Sequence, residues 1–312
     1  MEPLDCAIVG AGPAGLTAAT YLARYHRRVR VFDGGDSRAR WIPRTHNCPG
    51  YPHGISGRDL LQRLRDQAHA HDVPFERTRI RRVHRDATGF SLLDGQRQWR
   101  ARTVLLATGV NDVMPEMADL EPAIACGAIR LCAICDAYEV TDGRIAVLGP
   151  AARALEHAIF LRAYSASVGV IPISAAEQAS EDEAWRARAG QHGVRPWPSL
   201  QRLRLQDGQC VAEFADGRRA AFDTVYPVLG ALPETSLASD LGAGIAASGE
   251  LRTDARGETS VRGLFAAGDV VSDLNQIAVA MGHAAIAATA IHRRLPPHPR
   301  EARQGDGDAL PS

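Results

Sequence analysis

Two cysteines three positions apart carry the most specific chemistry in the sequence, in the segment Leu131-Cys132-Ala133-Ile134-Cys135-Asp136. A Cys-x-x-Cys pair can close a small disulfide, and a neighbouring charge or a helix N-terminus can activate one of the two thiols. The carboxyl group of Asp136 follows directly, and it can relay a proton when the disulfide opens and a thiolate leaves. These residues predict a redox-active disulfide. Half of a zinc site, completed by Cys126 or distant histidines, and a pair of inert buried thiols are the alternatives.

A glycine pattern near the start predicts a dinucleotide site. Gly10, Gly12 and Gly15 form G-x-G-x-x-G between a strand-like run and a helical run. The first glycine permits a tight turn, the second lets backbone N–H groups approach a pyrophosphate, and the third lets the helix pack closely on the strand. Asp33 ends the next predicted strand, where a carboxylate accepts hydrogen bonds from a ribose diol.

A later Gly-Asp pair selects FAD among the dinucleotides. Gly268-Asp269 ends the short apolar run that begins at Gly263. At that place Asp269 can bind ribityl or pyrophosphate oxygens. The helix predicted over residues 274–291 would direct its N-terminus at the pyrimidine edge of a flavin, where reduced flavin gathers negative charge. A helix N-cap is the alternative role for Asp269.

Alternating strands and helices must position these residues. An Asp-Gly turn followed by an apolar run that ends in glycine occurs twice, at Asp94-Gly95 and at Asp216-Gly217, which indicates two similar α/β units. The fold class is therefore α/β, with two Rossmann-like three-layer nucleotide-binding domains, the second inserted into the first. We predict an FAD-binding domain over residues 1–112 and 233–295, an NAD(P)H-binding-like domain over 113–232 that carries the cysteine pair, and a disordered tail over 296–312. The predicted strands are 4–9, 29–32, 103–108, 144–148 and 224–229, the third and the last each closed by a glycine. The predicted helices are 16–25, 57–71 and 151–163.

Composition excludes several classes of function. The 312 residues include 36 basic and 36 acidic side chains, so no net charge favours nucleic acid or an anionic membrane. Every basic residue is arginine, which excludes Schiff-base lysine chemistry and a P-loop lysine. The most apolar stretch, 278–291, is shorter than the roughly 20 residues that span a bilayer. The six cysteines are too few for a disulfide scaffold in a chain of this length, so we expect a cytoplasmic protein.

Four motifs together resemble those of the low-molecular-weight thioredoxin reductases and their flavoprotein relatives. They occur in the family's order over residues 4–295, with the dithiol inside the second unit. The resemblance implies a homodimeric FAD enzyme that exchanges electrons between the flavin, a redox-active disulfide and a thioredoxin-like protein or a small dithiol or disulfide. The motifs are Gly10-x-Gly12-x-x-Gly15, Ala107-Thr108-Gly109, Cys132-Ala133-Ile134-Cys135-Asp136 and Phe265-Ala266-Ala267-Gly268-Asp269-Val270.

The resemblance also implies roles for individual residues. Cys135 matches the cysteine that faces the flavin, Cys132 the one that exchanges with substrate, and Asp136 the adjacent acid/base. Asn47 matches an asparagine beside the flavin ring. Asn275-Gln276 matches an Arg-Gln pair at the start of the last helix, with the arginine replaced, and Gln276 is expected to contact FAD. The other residues expected to contact FAD are Gly10, Gly12, Pro13, Ala14, Gly15, Asp33, Thr108, Gly109, Gly268, Asp269 and Ile277.

The second unit departs from the family's NADPH site. Its turn begins Gly149-Pro150-Ala151, where the family has G-x-G, so Pro150 removes an N–H donor and Ala151 adds a methyl group. The next strand leads into Ile173-Ser174 without the family's His-Arg-Arg cluster for the 2′-phosphate. Arg186 and Arg188 are expected on a solvated helix. We predict a degenerate nucleotide site, which leaves NADPH open as a cofactor.

The segment 34–40 resembles that of relatives which oxidise small dithiols with O2, the gliotoxin-type and holomycin-type dithiol oxidases, and these do without NADPH. Similar losses occur in ferredoxin-dependent relatives. We predict an FAD-dependent thiol–disulfide oxidoreductase. The alternatives are an O2-using dithiol oxidase that makes a disulfide and H2O2, and a non-enzymatic flavin-binding redox sensor. His283, a lone imidazole in an apolar stretch, is a candidate base for a substrate thiol, with a core or interface histidine as the alternative.

Overall fold

The structure, a computed structural model, describes residues 2–297 and 299. The tail predicted to be disordered from residue 296 lies almost entirely outside them. The strands are β1 (Leu4–Val9), β2 (Val29–Phe32), β3 (Phe75–Glu76), β4 (Arg82–Asp86), β5 (Gly89–Leu93), β6 (Gln98–Leu106), β7 (Val110–Asp112), β8 (Arg144–Leu148), β9 (Ser167–Ile171), β10 (Arg195–Pro196), β11 (Leu200–Gln206), β12 (Gln209–Phe214), β13 (Arg219–Phe222), β14 (Thr224–Pro227), β15 (Ala231–Pro233) and β16 (Leu264–Ala266). The α-helices are α1 (Pro13–Arg24), α2 (Gly57–His69), α3 (Leu120–Cys126), α4 (Ala133–Asp136), α5 (Ala151–Leu161), α6 (Ala175–Ala179), α7 (Glu183–Gln191), α8 (Ser236–Ser239) and α9 (Ile277–Arg294).

The first sheet joins the two ends of the chain. Its strand order is β3-β2-β1-β6-β5-β4, and β16 also pairs with β6. Strands β1, β2, β3, β6 and β16 pair in parallel, while β4 and β5 form an antiparallel extension. Because β16 comes 158 residues after the end of β6, the intervening unit is inserted into the first, as the sequence predicts.

The second unit repeats this plan on a smaller scale. A parallel sheet of order β10-β9-β8-β14 stands beside an antiparallel sheet of order β11-β12-β13. The predicted fold class, two Rossmann-like units with one inserted in the other, is confirmed. The strands β7 and β15 pair antiparallel with each other where the chain leaves and re-enters the first unit. They coincide with the domain boundaries at 112/113 and 232/233, which stay a prediction.

Small residues let the first and last helices pack closely over the first sheet. Helix α1 carries Ala18 and Ala19, and helix α9 carries Ala284, Ala287 and Ala288, all fully buried in one apolar cluster. Removing these methyl groups from water stabilises the layer, at about 25 cal/mol per Å² buried. The packing fixes the start of α9 next to the start of α1, and both ends border the same cavity. Among the described residues, no helix is long and apolar enough to cross a membrane.

Candidate active site

One cavity of about 790 Å³ brings the two main sequence motifs together. Its wall includes the turn between β1 and α1, the cysteine pair at α4 and the start of α9. The volume lies within the roughly 300–1,000 Å³ that is typical of ligand and cofactor sites. The predicted site residues that line it are Gly10, Gly12, Pro13, Ala14, Asp33, Asn47, Thr108, Gly109, Cys132, Cys135, Asp136, Gly268, Asp269, Gln276 and Ile277.

Cys132 and Cys135 form a disulfide in this cavity. Cys132 lies directly before α4 in an extended conformation, and Cys135 lies within that short helix, so the turn of the helix brings the two sulfurs together. Both cysteines are half-buried, while Ile134 between them is exposed. The pair is therefore partly accessible, and it lines the cavity.

An amide relay contacts the sulfur pair. The Nε2 of Gln276 lies 3.2 Å from Cys135 Sγ and 3.6 Å from Cys132 Sγ. The Oε1 of the same side chain accepts a hydrogen bond from Asn47 Nδ2 at 3.0 Å. Asn47 Oδ1 in turn accepts from the Thr45 hydroxyl at 2.7 Å. Gln276 immediately precedes α9, so the packing of that helix places the amide.

Asp136 is held by two donors that the sequence analysis missed. Arg130 Nη1 donates to Oδ2 at 2.9 Å, and the Tyr226 hydroxyl donates to Oδ1 at 2.9 Å. Burial raises the pKa of Asp136, while Arg130 and Tyr226 oppose that rise. Burial also raises the pKa of Tyr226, and the Asp136 charge adds to it, so the phenol stays protonated and remains a donor. A raised pKa makes this carboxyl group a better proton acceptor than an exposed aspartate, which suits proton transfer in the cavity that holds the disulfide.

The glycine motif leaves the N-terminus of α1 open to the cavity. A Cβ on Gly15 would overlap the carbonyl oxygen of Gly10, so the third glycine is required by close packing. Gly12 is the N-cap residue, and its turn carries no capping side chain. Pro13 occupies the first helical position, where its missing N–H costs nothing. The free N–H groups of this twelve-residue helix and its dipole thus face the cavity, which suits a phosphate group.

Two predicted acidic ligands have arginine partners. Asp33 Oδ2 accepts from Arg65 at 2.7 Å, and its Oδ1 accepts from the backbone N–H of Gly35. Asp269 lies 3.6 Å from Arg38, and burial raises the pKa of Asp269 while Arg38 opposes the rise. Asp269 is not a helix N-cap residue, since it is the first residue of a short 3-10 turn whose N-cap position is Gly268.

Arg38, which lines the cavity, also bonds the segment that links the two units. Its Nε and Nη2 donate to the two oxygens of Asp112, at 2.6 and 2.9 Å. Asp112 ends β7, so this bidentate pair holds the connecting strand against the first unit. The sequence of segment 34–40 indicated a resemblance to dithiol oxidases, but it did not indicate that Arg38 pairs with Asp112.

The nucleotide turn of the second unit differs sharply from that of the first. The Oε2 of Glu177 accepts a hydrogen bond from the backbone N–H of Ala151, at the start of α5, at 3.2 Å. Trp185, which is 9% exposed, covers the same turn and donates from Nε1 to the carbonyl of Ala151 at 3.0 Å. A Cβ on Gly149 would lie 2.6 Å from Val228 Cγ2. A carboxylate and an indole from this chain therefore occupy the turn.

Some predicted residues lie away from the cavity. Gly15 supports the turn from behind, and His283 lies on α9 outside the cavity lining, with a buried Nδ1 that makes no hydrogen bond. The role of His283 as a base stays a prediction. Within residues 2–297, no three His, Cys, Asp or Glu side chains cluster to hold a metal. Cys6, Cys48 and Cys210 are buried free thiols, and Cys126 is exposed. Arg186 and Arg188 lie on the solvent-facing α7, as expected.

Comparison with known proteins adds independent findings. The sequence pattern of the family described as "Pyridine nucleotide-disulphide oxidoreductase" matches residues 4–284. The chain belongs to this family. Thioredoxin reductase of Peptoclostridium acidaminophilum is 29% identical over 309 residues, which cover 91% of this chain and 95% of the relative. Thioredoxin reductase of Treponema pallidum (strain Nichols) is 29% identical over 301 residues, covering 92% and 95%.

Solved structures agree with the assignment. The crystal structure of HlmI superposes with a TM-score of 0.86 at 28% identity, covering 94% of this chain and 92% of HlmI. That of thioredoxin reductase from Streptococcus pyogenes MGAS5005 superposes with a TM-score of 0.82 at 26% identity, covering 93% and 97%. This pyridine nucleotide-disulphide oxidoreductase is thus an FAD-dependent disulfide oxidoreductase of the thioredoxin reductase type.

The open turn at α1 fits FAD. It offers uncapped backbone N–H groups to a pyrophosphate, and Gly109, whose Cβ position is free of neighbours, borders the space beside the disulfide. Asp33, Asp269, Asn47 and Gln276 supply polar groups at successive points along the same cavity. Sequence patterns did not indicate five further residues of this oxidoreductase. Four of them bond partners at least 26 residues away in the chain, and Arg130 bonds Asp136 across a local turn that only the fold creates. The five are Arg38, Arg65, Arg130, Glu177 and Tyr226.

Proposed function

We propose that this enzyme exchanges electrons with a dithiol substrate at Cys132–Cys135 and that NADPH bound to its second Rossmann unit is not the electron source. The observation that carries the proposal is the contrast between two equivalent turns. The turn before α1 leaves its N–H groups open to a cavity, whereas Glu177 accepts a hydrogen bond from Ala151 at the turn before α5. A carboxylate at that place repels a pyrophosphate and takes a donor that the pyrophosphate needs.

Local structure holds Glu177 in this position. Ser174 caps α6 by accepting from the backbone N–H of Glu177 at 3.2 Å, which fixes the first turn of that helix. Trp185 packs over the same residue, Ala151, from the following helix. Two helices therefore hold side chains against the start of α5, and a nucleotide would have to displace both.

The exchange step balances without a further reactant. A substrate thiolate attacks Cys132 Sγ and forms a mixed disulfide, while the Cys132–Cys135 bond breaks and its electron pair goes to Cys135 Sγ. The second substrate thiol then attacks the mixed disulfide, which releases a substrate disulfide and leaves two reduced cysteines. We assign the proton to Asp136, the acid/base that the family resemblance implies; the raised pKa of its carboxyl group supports this assignment. FAD, when bound, would supply a two-electron acceptor for the reduced cysteine pair, and O2 is the proposed final acceptor.

The relatives' names favour a second candidate, the reverse direction. A thioredoxin reductase reduces the disulfide of a thioredoxin-like protein, so that protein is the candidate partner if a donor such as reduced ferredoxin or NADPH feeds this chain. Both directions use the same sulfur chemistry, because exchange is reversible and the terminal partners set its direction. We retain the homodimer and the cytoplasmic location as parts of the proposal.

Rapid mixing under anaerobic conditions tests the proposal. The flavin absorbance of the enzyme is followed after mixing with a model dithiol, NADPH, NADH or reduced ferredoxin. The dithiol is expected to bleach the flavin, and NADPH and NADH are expected to leave it yellow. Air is then admitted, and peroxide formed in proportion to the substrate disulfide identifies O2 as the acceptor. Rapid bleaching by NADPH would overturn the assignment of the electron source, and bleaching by ferredoxin alone would favour the reverse direction.

A further inference from the structure

Gln276 contacts the reacting sulfurs directly. Its Nε2 is nearer to Cys135 Sγ, at 3.2 Å, than to Cys132 Sγ, at 3.6 Å. Both separations fall within hydrogen-bond distance for sulfur. The amide therefore contacts both sulfurs of the disulfide, and its closer contact is with Cys135.

The orientation of the Gln276 amide is fixed by its neighbours. Oε1 accepts from Asn47 Nδ2 at 3.0 Å, and Asn47 Oδ1 accepts from the Thr45 hydroxyl at 2.7 Å. Turning over the Gln276 amide alone would place two NH2 groups against each other. Turning over both amides, with the Thr45 hydroxyl then accepting, would place the Gln276 carbonyl oxygen against two disulfide sulfurs that offer it no donor. The relay thus directs N–H donors at Cys135.

We propose that Gln276 is a catalytic residue of the exchange reaction: its amide N–H stabilises the Cys135 thiolate and so directs the attacking thiolate to Cys132. The inference deepens the proposed function and rests on it. When the substrate sulfur bonds to Cys132 Sγ, the Cys132–Cys135 bond breaks and its electron pair, with the negative charge, goes to Cys135 Sγ. The hydrogen bond from Nε2 strengthens at that moment, because a charged acceptor binds a donor about twice as strongly as a neutral one.

Other groups do not substitute for this amide. The two oxygens of Asp136 accept from Arg130 and Tyr226, which directs the carboxylate to those partners. The N-terminus of the eighteen-residue helix α9 adds a favourable potential, since Gln276 is its N-cap residue. Asn47 is a positioning residue in this scheme, since it acts on the sulfurs through Gln276.

The test measures opening of the disulfide by a monothiol, in the flavin-loaded protein. Oxidised enzyme is mixed with 2-mercaptoethanol, free thiols are trapped with N-ethylmaleimide at intervals, and peptide mass spectrometry shows which cysteine carries the adduct. The variants are Gln276→Met, which keeps the length and removes the donor, and Gln276→Glu, which replaces the donor with a negative acceptor. Gln62→Leu is the matched control, because it removes an exposed glutamine on α2 that bonds Asp66.

In the wild type and in Gln62→Leu, the adduct is expected on Cys132 alone. In Gln276→Met, opening is expected to be about tenfold slower, the difference between hydrogen bonds to charged and neutral acceptors, with adducts on both cysteines. In Gln276→Glu the disulfide is expected to open more slowly still. This variant tests the role of Gln276 if Gln276→Met fails to fold. Asn47→Leu is expected to give an intermediate rate and an intermediate adduct distribution, which a merely structural role would not produce.

Wild-type rates with adducts confined to Cys132 in both Gln276 variants would overturn the assignment. The measurement does not depend on turnover of the flavin or on the identity of the electron source. If the variants open slowly while a dithiol fails to bleach the wild-type flavin, the proposed function fails and the role of Gln276 stands.

Discussion

Removal of the Tyr226 hydroxyl, in Tyr226→Phe, measures how the enzyme sets the proton affinity of Asp136. Tyr226 is 1% exposed, and its hydroxyl donates to Asp136 Oδ1 at 2.9 Å. A hydrogen bond to a charged group contributes about 1.5–3 kcal/mol, and one to a neutral group about 0.5–1.5 kcal/mol. The donor therefore favours the carboxylate over the protonated acid by about 1.4 kcal/mol, and its removal is expected to raise the pKa of Asp136 by about one further unit.

The sign of the pH dependence follows from the raised pKa. Burial already raises the pKa of Asp136 in the folded protein. The stability that such a group contributes is complete below its unfolded pKa, about 3.9, and is lost as the pH rises through the folded pKa. In Tyr226→Phe the pKa of Asp136 in the folded protein is expected to be higher. This stability is therefore lost over a higher pH range than in the wild type, and the total loss is larger. Its destabilisation relative to wild type is thus expected to grow from about 1 kcal/mol in acid to about 2–2.5 kcal/mol above the folded pKa.

The assay is an infrared titration of the Asp136 carboxyl band, assigned with Asp136→Asn, combined with urea unfolding at several pH values. Tyr25→Phe is the matched control, because the Tyr25 hydroxyl bonds the neutral hydroxyl of Thr289 at 3.2 Å. Its destabilisation is expected to be the same at every pH. An unshifted Asp136 band in Tyr226→Phe, with a destabilisation that does not change with pH, would refute the reasoning.

Three further changes test other parts of the structure. Gly15→Ala places a methyl group against the carbonyl oxygen of Gly10, so we expect a loss of about 1–3 kcal/mol and of bound flavin, measured as flavin per chain; full flavin content would contradict the close packing. Arg38→Met leaves the half-buried Asp112 without its bidentate partner and is expected to cost about 1.5–3 kcal/mol, seen as a lowered thermal midpoint; an unchanged midpoint would show that the pair contributes nothing. Glu177→Ala removes the carboxylate at the start of α5 and is expected to tighten NADPH binding about tenfold by calorimetry, since a repulsion of about 1.4 kcal/mol is lost; equal affinity would mean that Glu177 does not exclude the nucleotide.

The sequence predicted the strands of the two Rossmann units most accurately. The predicted bounds of β1, β2 and β8 match the structure, because parallel strands buried on both faces form mostly apolar runs, here with one charged residue in each strand. Helix bounds were less accurate. Helix α1 begins at Pro13 rather than at residue 16, since proline suits a first turn, and α9 spans Ile277–Arg294 rather than 274–291.

The electrostatic environment of the site could not be predicted from the sequence. Tyr226 lies on β14, and Arg130 follows Ile129, which forms an isolated bridge with Val225 of that strand. This pairing brings both side chains to Asp136, although Tyr226 is 90 residues from it in the chain. The chain contains arginine and no lysine, so residue type alone does not distinguish Arg38, Arg65 and Arg130 from the arginines on the surface. Sequence patterns report local periodicity, whereas these ion pairs depend on tertiary packing.

The most direct test of the central claim compares wild type with Cys135→Ser in one anaerobic measurement. Each flavin-loaded protein is mixed with excess dithiol, and the flavin absorbance is recorded over time. The account predicts rapid bleaching of the wild type and none of the variant, because Cys132 is then a free thiol, so the dithiol has no disulfide bond to attack and no reduced cysteine pair forms. Equal bleaching of both proteins would contradict it, since electrons would then reach the flavin without the disulfide.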